Sequence, residues 1–130
     1  MHRTLAAEQN PDLAAAMIWI HMLPADSLEA SLAAAQHFSL AGLAHFHDPL
    51  RLAGRSVGMA LESAGATAWD VYLVFRSGPE WVAEAPVPTA WAHQLTDAWA
   101  DVRARRQGPA LRQWLVHHVR DLKQDPGRTA

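Results

Sequence analysis

Two stretches of the chain carry the hydrophobic patterns of β-strands. In AWDVYLVF, residues 68–75, apolar side chains fall on every second position, which is typical of a strand with one buried face. In MIWIHML, residues 17–23, apolar side chains occupy both faces, which is typical of a strand inside a covered sheet. The alanines before this second stretch also permit a buried helix over 12–23, and this alternative stays open.

The segments between and after these strands have the hydrophobic periodicity of helices. In ADSLEASLAAAQHF, apolar side chains recur every three or four positions, and Asp26 or Ser27 is placed to cap the first turn. Asp48 is followed by Pro49, a residue favoured at the first helical position, so a second helix is expected to start there. The four predicted helices cover residues 28–37, 49–63, 89–105 and 110–122.

The order of these elements predicts an α/β fold. A short strand in AGLAHFH, residues 41–47, follows the first helix. EWVAEA, residues 80–85, is expected to pair antiparallel with AWDVYLVF after the RSGP turn. Strands separated by a helix are expected to be parallel, because a crossover joins them. The prediction is a small mixed sheet covered by helices, with an extra helix at the C-terminal end.

The order from Met17 to Arg105 resembles that of the thioredoxin-like fold superfamily. HFHDP, AWDVYLVF and PVPTAWAHQL are also similar to segments of a group of uncharacterised bacterial thioredoxin-like proteins that lack the redox cysteines. The resemblance covers about two thirds of the chain. Two features depart from it. Too little chain precedes Met17 to supply the family's first strand and helix in full, and Thr67 and Ala68 stand where the family has a proline.

The composition limits the chemistry that the chain can perform. Its 130 residues include no cysteine, which excludes disulfides, thiolate nucleophiles, zinc–thiolate sites and iron–sulfur clusters. The net charge of −2 gives no basic surface that would favour nucleic acid or an anionic membrane. We therefore expect a protein that binds neither nucleic acid nor a membrane.

Length and hydropathy predict a single domain over 1–130, with loose ends at 1–12 and 123–130. The apolar stretch over 13–23 is too short to cross a bilayer. MHRTLAAEQNPD contains no apolar run of the kind found in signal peptides. These observations predict a cytoplasmic protein.

Two histidines form the strongest candidate for a metal site. His45 and His47 are two positions apart, so on a strand both imidazoles lie on one face and can reach one ion. Imidazole suits zinc, nickel or copper, so this pair would hold a divalent transition metal. Asp48 would face the other way and is better explained as a helix cap. In the alternative interpretation, the histidines only flank a junction between a strand and a helix.

Three further residues are candidates for a ligand site or a cleft. Asp70 lies between aromatic neighbours on the strongest strand, where burial would raise its pKa. Trp91 and His93 fall in the first turns of the helix predicted over 89–105. For His93 a structural role is favoured.

The remaining aromatic side chains suggest packing. The chain has six tryptophans, and we expect most of them in the core, because buried aromatic side chains dominate core area. His21, inside an apolar strand, needs a hydrogen-bond partner. His117 and His118 are adjacent and are expected to diverge on a helix.

Besides a carbohydrate or aromatic-ligand binder that would use exposed tryptophans, three functions are compatible with these features. The first is a non-redox thioredoxin-like module that binds a protein partner or self-associates, because an incomplete sheet leaves a strand edge open next to MIWIHML. The second is a small metal-dependent enzyme or metal-binding protein that uses His45 and His47. The third is a truncated fragment of a thiol–disulfide oxidoreductase that continues before Met1. The first is preferred, so we expect a non-enzymatic protein without a cofactor, and no catalytic residue is assigned.

Overall fold

The computed structural model describes residues 11–38, 40–96 and 99–123, and these ranges contain both strands and helices. The mixed α/β class is confirmed. Of the loose ends predicted at 1–12 and 123–130, residues 1–10 and 124–130 lie outside the described residues. The elements are β1 (Ala15–Ile20), α1 (Leu28–His37), β2 (Leu43–Asp48), α2 (Leu52–Ala60), β3 (Val71–Val74), β4 (Ala90–His93), a 3₁₀ turn (Val102–Ala104) and α3 (Gly108–Lys123).

The first two strands form a parallel pair joined by α1. Their register runs from Ala15 opposite Leu43 to Ile20 opposite Asp48. This pairing confirms the parallel crossover and shows that the helix over 12–23 is the wrong alternative. The β-branched and aromatic residues of the segment pair with LAHFHD, which overrides the helix propensity of the preceding alanines.

Helix α1 begins where the capping residues predict. The Ser27 hydroxyl accepts a hydrogen bond from the Ala30 N–H at 3.0 Å, so Ser27 is the N-cap. The apolar face expected on this helix is present but uncovered, since Leu28 is 53 % and Leu32 is 58 % exposed.

Helix α2 starts three residues later than expected. Pro49 lies in a turn, and Arg51 has a left-handed backbone with φ 59°, so the first helical residue is Leu52. Asp48 still caps the helix, because its carboxylate accepts hydrogen bonds from the N–H groups of Leu52 and Gly54. The helix ends at Ala60 rather than near 63.

The second pair of strands is a hairpin with a different partner from the one predicted. β3 pairs antiparallel with β4, with Val71 opposite His93 and Val74 opposite Ala90. The predicted partner strand over 80–85 is wrong, since those residues form bends and coil. The predicted helix over 89–105 is also wrong. Its apolar spacing at Trp91 and the following residues arises from a strand, a loop and a 3₁₀ turn.

Helix α3 covers the second pair of strands. Its Leu111 and Leu115 pack on Ala92, which is fully buried, and the half-buried Tyr72 and Trp114 flank this cluster. The small side chain at 92 lets the helix approach the strand closely. The helix predicted at this end of the chain is thus confirmed.

The strands form two separate two-stranded sheets within the described residues, and not the single mixed sheet that was predicted. All six tryptophans belong to the described ranges. Trp81 is exposed, and the other five are half-buried at the margins of the packed regions. The described core is built mainly from smaller side chains such as Val57, Leu115 and Val119.

Candidate functional site

The carboxyl ends of β1 and β2 bring aromatic and imidazole side chains together on one face. Trp19 lies opposite His47 in the parallel register, and alternation places His45 on the same face. The Trp19 ring also lies 6.0 Å from the ring of Phe38, which directly follows α1. This face of the sheet therefore points toward the end of α1.

His47 pairs with His21, the residue that follows β1. The two Nε2 atoms are 2.7 Å apart, and the rings meet edge to face with their centroids 4.6 Å apart. At this distance one Nε2 carries a hydrogen and donates it, while the other accepts. The expected need of His21 for a hydrogen-bond partner is thereby confirmed. Sequence spacing missed this pair, because the two residues are 26 positions apart.

His45 has a different partner. The Trp19 indole N–H donates to His45 Nδ1 at 3.2 Å, and the two rings stack at an angle of 12°. His45 and His47 share a strand face as predicted, but each imidazole bonds to a residue on the neighbouring segment rather than to a common point. Trp19 thus orients His45, and His21 orients His47.

Asp48 serves the backbone of α2. It is 8 % exposed, and its two carboxylate oxygens accept the Leu52 and Gly54 N–H groups at 2.8 Å and 3.2 Å. This confirms the interpretation of Asp48 as a cap. Next to it, the Arg51 Nε–H donates to the carbonyl of His21 at 2.6 Å. The start of α2 is therefore tied to the segment that carries the histidine pair.

A carboxylate also fixes the chain after His21. Asp26 Oδ2 accepts the N–H groups of Leu23 and Met22 at 2.6 Å and 2.7 Å. These two hydrogen bonds, to Leu23 first and Met22 second, lower the pKa of Asp26, and the nearby charge of His21 lowers it further. The turn after β1 therefore carries a negative charge beside the imidazole pair.

The other predicted site residues lie on the second sheet. His93 is 1 % exposed, and both of its ring nitrogens are used: Nδ1 accepts the Leu95 N–H at 3.1 Å, and Nε2 donates to the Asp101 carbonyl at 2.8 Å. This arrangement agrees with the structural role favoured for His93. Trp91 is half-buried and stacks on His93 with ring centroids 5.6 Å apart.

Asp70 belongs to a hydrogen-bonded group with Tyr72 and Gln94. The Gln94 side-chain amide donates to Asp70 Oδ1 at 3.1 Å and to the Tyr72 hydroxyl oxygen at 2.9 Å. Asp70 itself is exposed and has a left-handed backbone with φ 50°. Burial, and to a lesser degree the charge of Asp70, raises the pKa of Tyr72 to about 12.

A second imidazole group lies on α3. Donor atoms of His117, His118 and Asp121 all lie within 4.8 Å of one another, and within the described ranges no other set of three or more potential metal ligands is this close. The His117 and His118 rings are 5.0 Å apart, so the expectation that they diverge is wrong. Partial burial, followed by the charge of His117, lowers the pKa of His118. The spacing of four between His117 and Asp121 was the sequence signal for this group.

Comparisons with protein-family models, with curated proteins and with solved structures gave no match for this chain. Among the helices in the described ranges, none has the length and apolar character needed to span a bilayer. The function is therefore inferred from the geometry of the two imidazole groups and of the exposed surfaces.

Proposed function

We propose that this chain is a non-enzymatic module that binds a divalent transition metal through His21 and His47. The observation that carries the proposal is the approach of the two Nε2 atoms to 2.7 Å from two different segments. Imidazole is the ligand that zinc, nickel and copper share, and both rings offer the same type of nitrogen to one point. This proposal retains the metal-binding hypothesis made from the sequence, but His21 replaces His45 as the second ligand.

Small movements would convert the hydrogen-bonded pair into a pair of metal ligands. Zinc–imidazole bonds of about 2.0–2.1 Å in a tetrahedral arrangement separate two nitrogens by about 3.3 Å. The rings would therefore move apart by about 0.6 Å, which rotation of the side chains can supply. Metal binding at both Nε2 atoms would also require the ring that donates the hydrogen to take the tautomer protonated at Nδ1.

The neighbouring groups support a binding role rather than a catalytic one. The negative charge of Asp26 beside His21 favours a cation at this end of the sheet. A catalytic zinc usually has three protein ligands and one open position. Within the described ranges, the histidine pair has no third imidazole or carboxylate donor within 4.8 Å of both ligand atoms. Two protein ligands leave the remaining positions to water or to a donor from a partner molecule.

The test is a calorimetric titration with Zn²⁺ of the untagged chain carrying His118→Ala, which removes an imidazole from the group on α3. We expect saturable binding of one equivalent. His21→Ala or His47→Ala in the same background should lower the affinity at least about tenfold, since even changes to residues that only orient a metal ligand have effects of this size. His45→Ala is the matched control, because His45 lies on the same strand face but bonds to Trp19.

Two results would overturn this proposal. One is the absence of saturable Zn²⁺ binding by a chain that is folded by circular dichroism. The other is an equal loss of affinity in the His45→Ala and His47→Ala variants, which would mean that the pair has no special role.

The thioredoxin-like fold is retained as the fold proposal. It is supported by the order of elements and by the parallel β1–α1–β2 unit followed by an antiparallel hairpin. The separation of the strands into two sheets is the departure that this proposal has to accommodate. Nuclear Overhauser contacts between the backbones of the two sheets would support it, and their absence in a fully assigned spectrum would refute it.

A second candidate function is self-association, and the free side of β1 favours it. In the described part of the chain, β1 has β2 as its one strand neighbour, which leaves six residues of backbone with an open edge. A second copy could pair antiparallel along this edge about a two-fold axis and extend the sheet to four strands. The exposed Leu28 and Leu32 on α1 are further apolar surface that a second copy could cover.

Light scattering after size exclusion tests self-association. We expect a dimer at micromolar concentration that shifts toward monomer when Leu32 is replaced by Lys. Arg55→Ala is the control, because it changes an exposed position on α2 that belongs to neither β1 nor α1. A strictly monomeric chain over the whole concentration range would exclude this function.

A further inference from the structure

We propose that His117, His118 and Asp121 form a second, independent binding site for a transition metal on α3. The proposal does not depend on the histidine pair at β1 and β2. It rests on the clustering of two imidazoles and one carboxylate, whose donor atoms lie within 4.8 Å of one another.

The helix geometry explains why the three side chains meet. Residues three and four positions apart on a helix are neighbours, so Asp121 lies beside both His118 and His117. The two imidazoles are adjacent in sequence, and their rings meet edge to face at 5.0 Å. A tetrahedral metal requires ligand atoms about 3.3 Å apart, which these side chains can reach by rotation without a change of the backbone.

The packing of α3 holds part of this group in place, which favours metal binding. The helix is anchored by Leu111, Leu115 and Val119, which are all buried. His118 lies at the margin of this packed face, half-buried, with its ring 4.5 Å from that of Trp114. A partly packed ligand loses less side-chain entropy on binding than a fully exposed one.

The donor set decides which metal is expected. Two nitrogens and one carboxylate oxygen suit zinc, nickel, copper or ferrous iron, whereas calcium and magnesium prefer oxygen ligands. Two arginines, Arg112 and Arg120, line the surface groove beside His117 and Asp121. Their charge weakens the attraction for any cation, so specific imidazole bonds rather than general negative charge have to hold the ion. Three protein ligands would leave at least one position open to water.

The experiment uses the full chain with His21→Ala and His47→Ala, so that failure of the first site cannot be confused with failure of this one. Calorimetric titration with Ni²⁺ or Zn²⁺ is expected to give one equivalent. His118→Ala or Asp121→Ala should then lower the affinity at least about tenfold. Gln113→Ala is the matched control, because Gln113 lines the same groove but is not one of the three proposed ligands.

Tryptophan fluorescence gives a second readout. Cu²⁺ bound next to His118 should quench Trp114, so Trp114→Phe should remove most of the quenching and leave the stoichiometry unchanged. If the double-alanine chain is poorly folded, the wild-type chain provides the test, because His118→Ala should lower its stoichiometry from two to one. An affinity unchanged by both His118→Ala and Asp121→Ala, or lowered equally by Gln113→Ala, would overturn the proposal.

Discussion

Replacement of Gly58 by alanine should destabilise the protein, although alanine is the better helix former. Gly58 is buried in α2, where a Cβ atom would overlap the backbone oxygen of Ala66 and come within 2.8 Å of the Ser63 hydroxyl. Both neighbours belong to the segment that turns back along the helix. Neither is the free end of a flexible side chain, so the backbone would have to move.

The size of the effect follows from the hydrogen bonds that hold this segment. The Ser63 N–H donates to the Gly58 carbonyl at 2.9 Å, and the Ser63 hydroxyl donates to the Ala66 carbonyl at 2.8 Å. Overpacking costs about 1–3 kcal/mol, and weakening of these two bonds adds about 1 kcal/mol each. The higher helix propensity of alanine returns about 1 kcal/mol. The net loss is about 2–4 kcal/mol.

Urea unfolding followed by tryptophan fluorescence measures this loss. With a slope of about 2 kcal/mol per molar urea, the midpoint should fall by at least about 1 M. Met59→Ala is the control, because Met59 is the next residue of α2 and is 60 % exposed, and its midpoint should change little. A Gly58→Ala midpoint equal to or above that of the wild type would refute the reasoning, since the propensity gain would then be the dominant effect.

Three further predictions concern single groups. Tyr72 is the one tyrosine in the chain, so ultraviolet titration of tyrosinate should give a midpoint near 12, and a midpoint at 10 would contradict the burial argument. Because its folded pKa is raised, the stability contributed by the neutral form is present below pH 10 and is lost as the pH rises toward 12. Asp48→Ala removes the acceptor of two helix N–H groups and should cost about 1–2 kcal/mol in thermal unfolding, with Asp48→Asn less severe. His93→Ala leaves the buried N–H of Leu95 and the part-buried carbonyl of Asp101 without their partner and should cost about 3 kcal/mol, so a change under about 1 kcal/mol would disprove its structural role.

The first half of the fold could be predicted because its local signals agree with one another. Ser27 caps α1 and Asp48 caps α2, and β2 lies between the two helices. β1 had a competing pattern, the helix over 12–23, and its pairing with β2 decides against that helix. The start of α2 was placed wrongly because Pro49 suits a turn as well as a first helical position. Arg51 has a left-handed backbone conformation, so the helix starts only after it. Helix propensities do not predict this conformation.

The second half of the fold was predicted wrongly because the hydrophobic pattern over 89–105 fits a helix as well as a strand. Trp91, Leu95 and Trp99 have helical spacing, but all four residues from 90 to 93 pair with β3. The strand is favoured by contacts outside this short window: it pairs with β3, α3 packs on Ala92, and His93 bonds to Asp101. Tertiary packing therefore overrides a periodicity that is ambiguous over a short window.

The candidate sites show the same division between local and distant information. The spacing of His45 and His47 correctly placed them on one strand face, because alternation is a local property. The partner of each imidazole depends on the register of β1 against β2. This register sets Trp19 opposite His47, and His21, two positions after Trp19, then reaches the His47 ring. A one-residue shift in this register would turn the face of β1 that carries Trp19 away from the histidines of β2 and abolish both contacts. Trp19→Phe removes the indole N–H that bonds to His45 but keeps an aromatic ring, so it should leave metal binding by His21 and His47 intact. A change that shifts the register of β1 against β2 by one residue should abolish this metal binding.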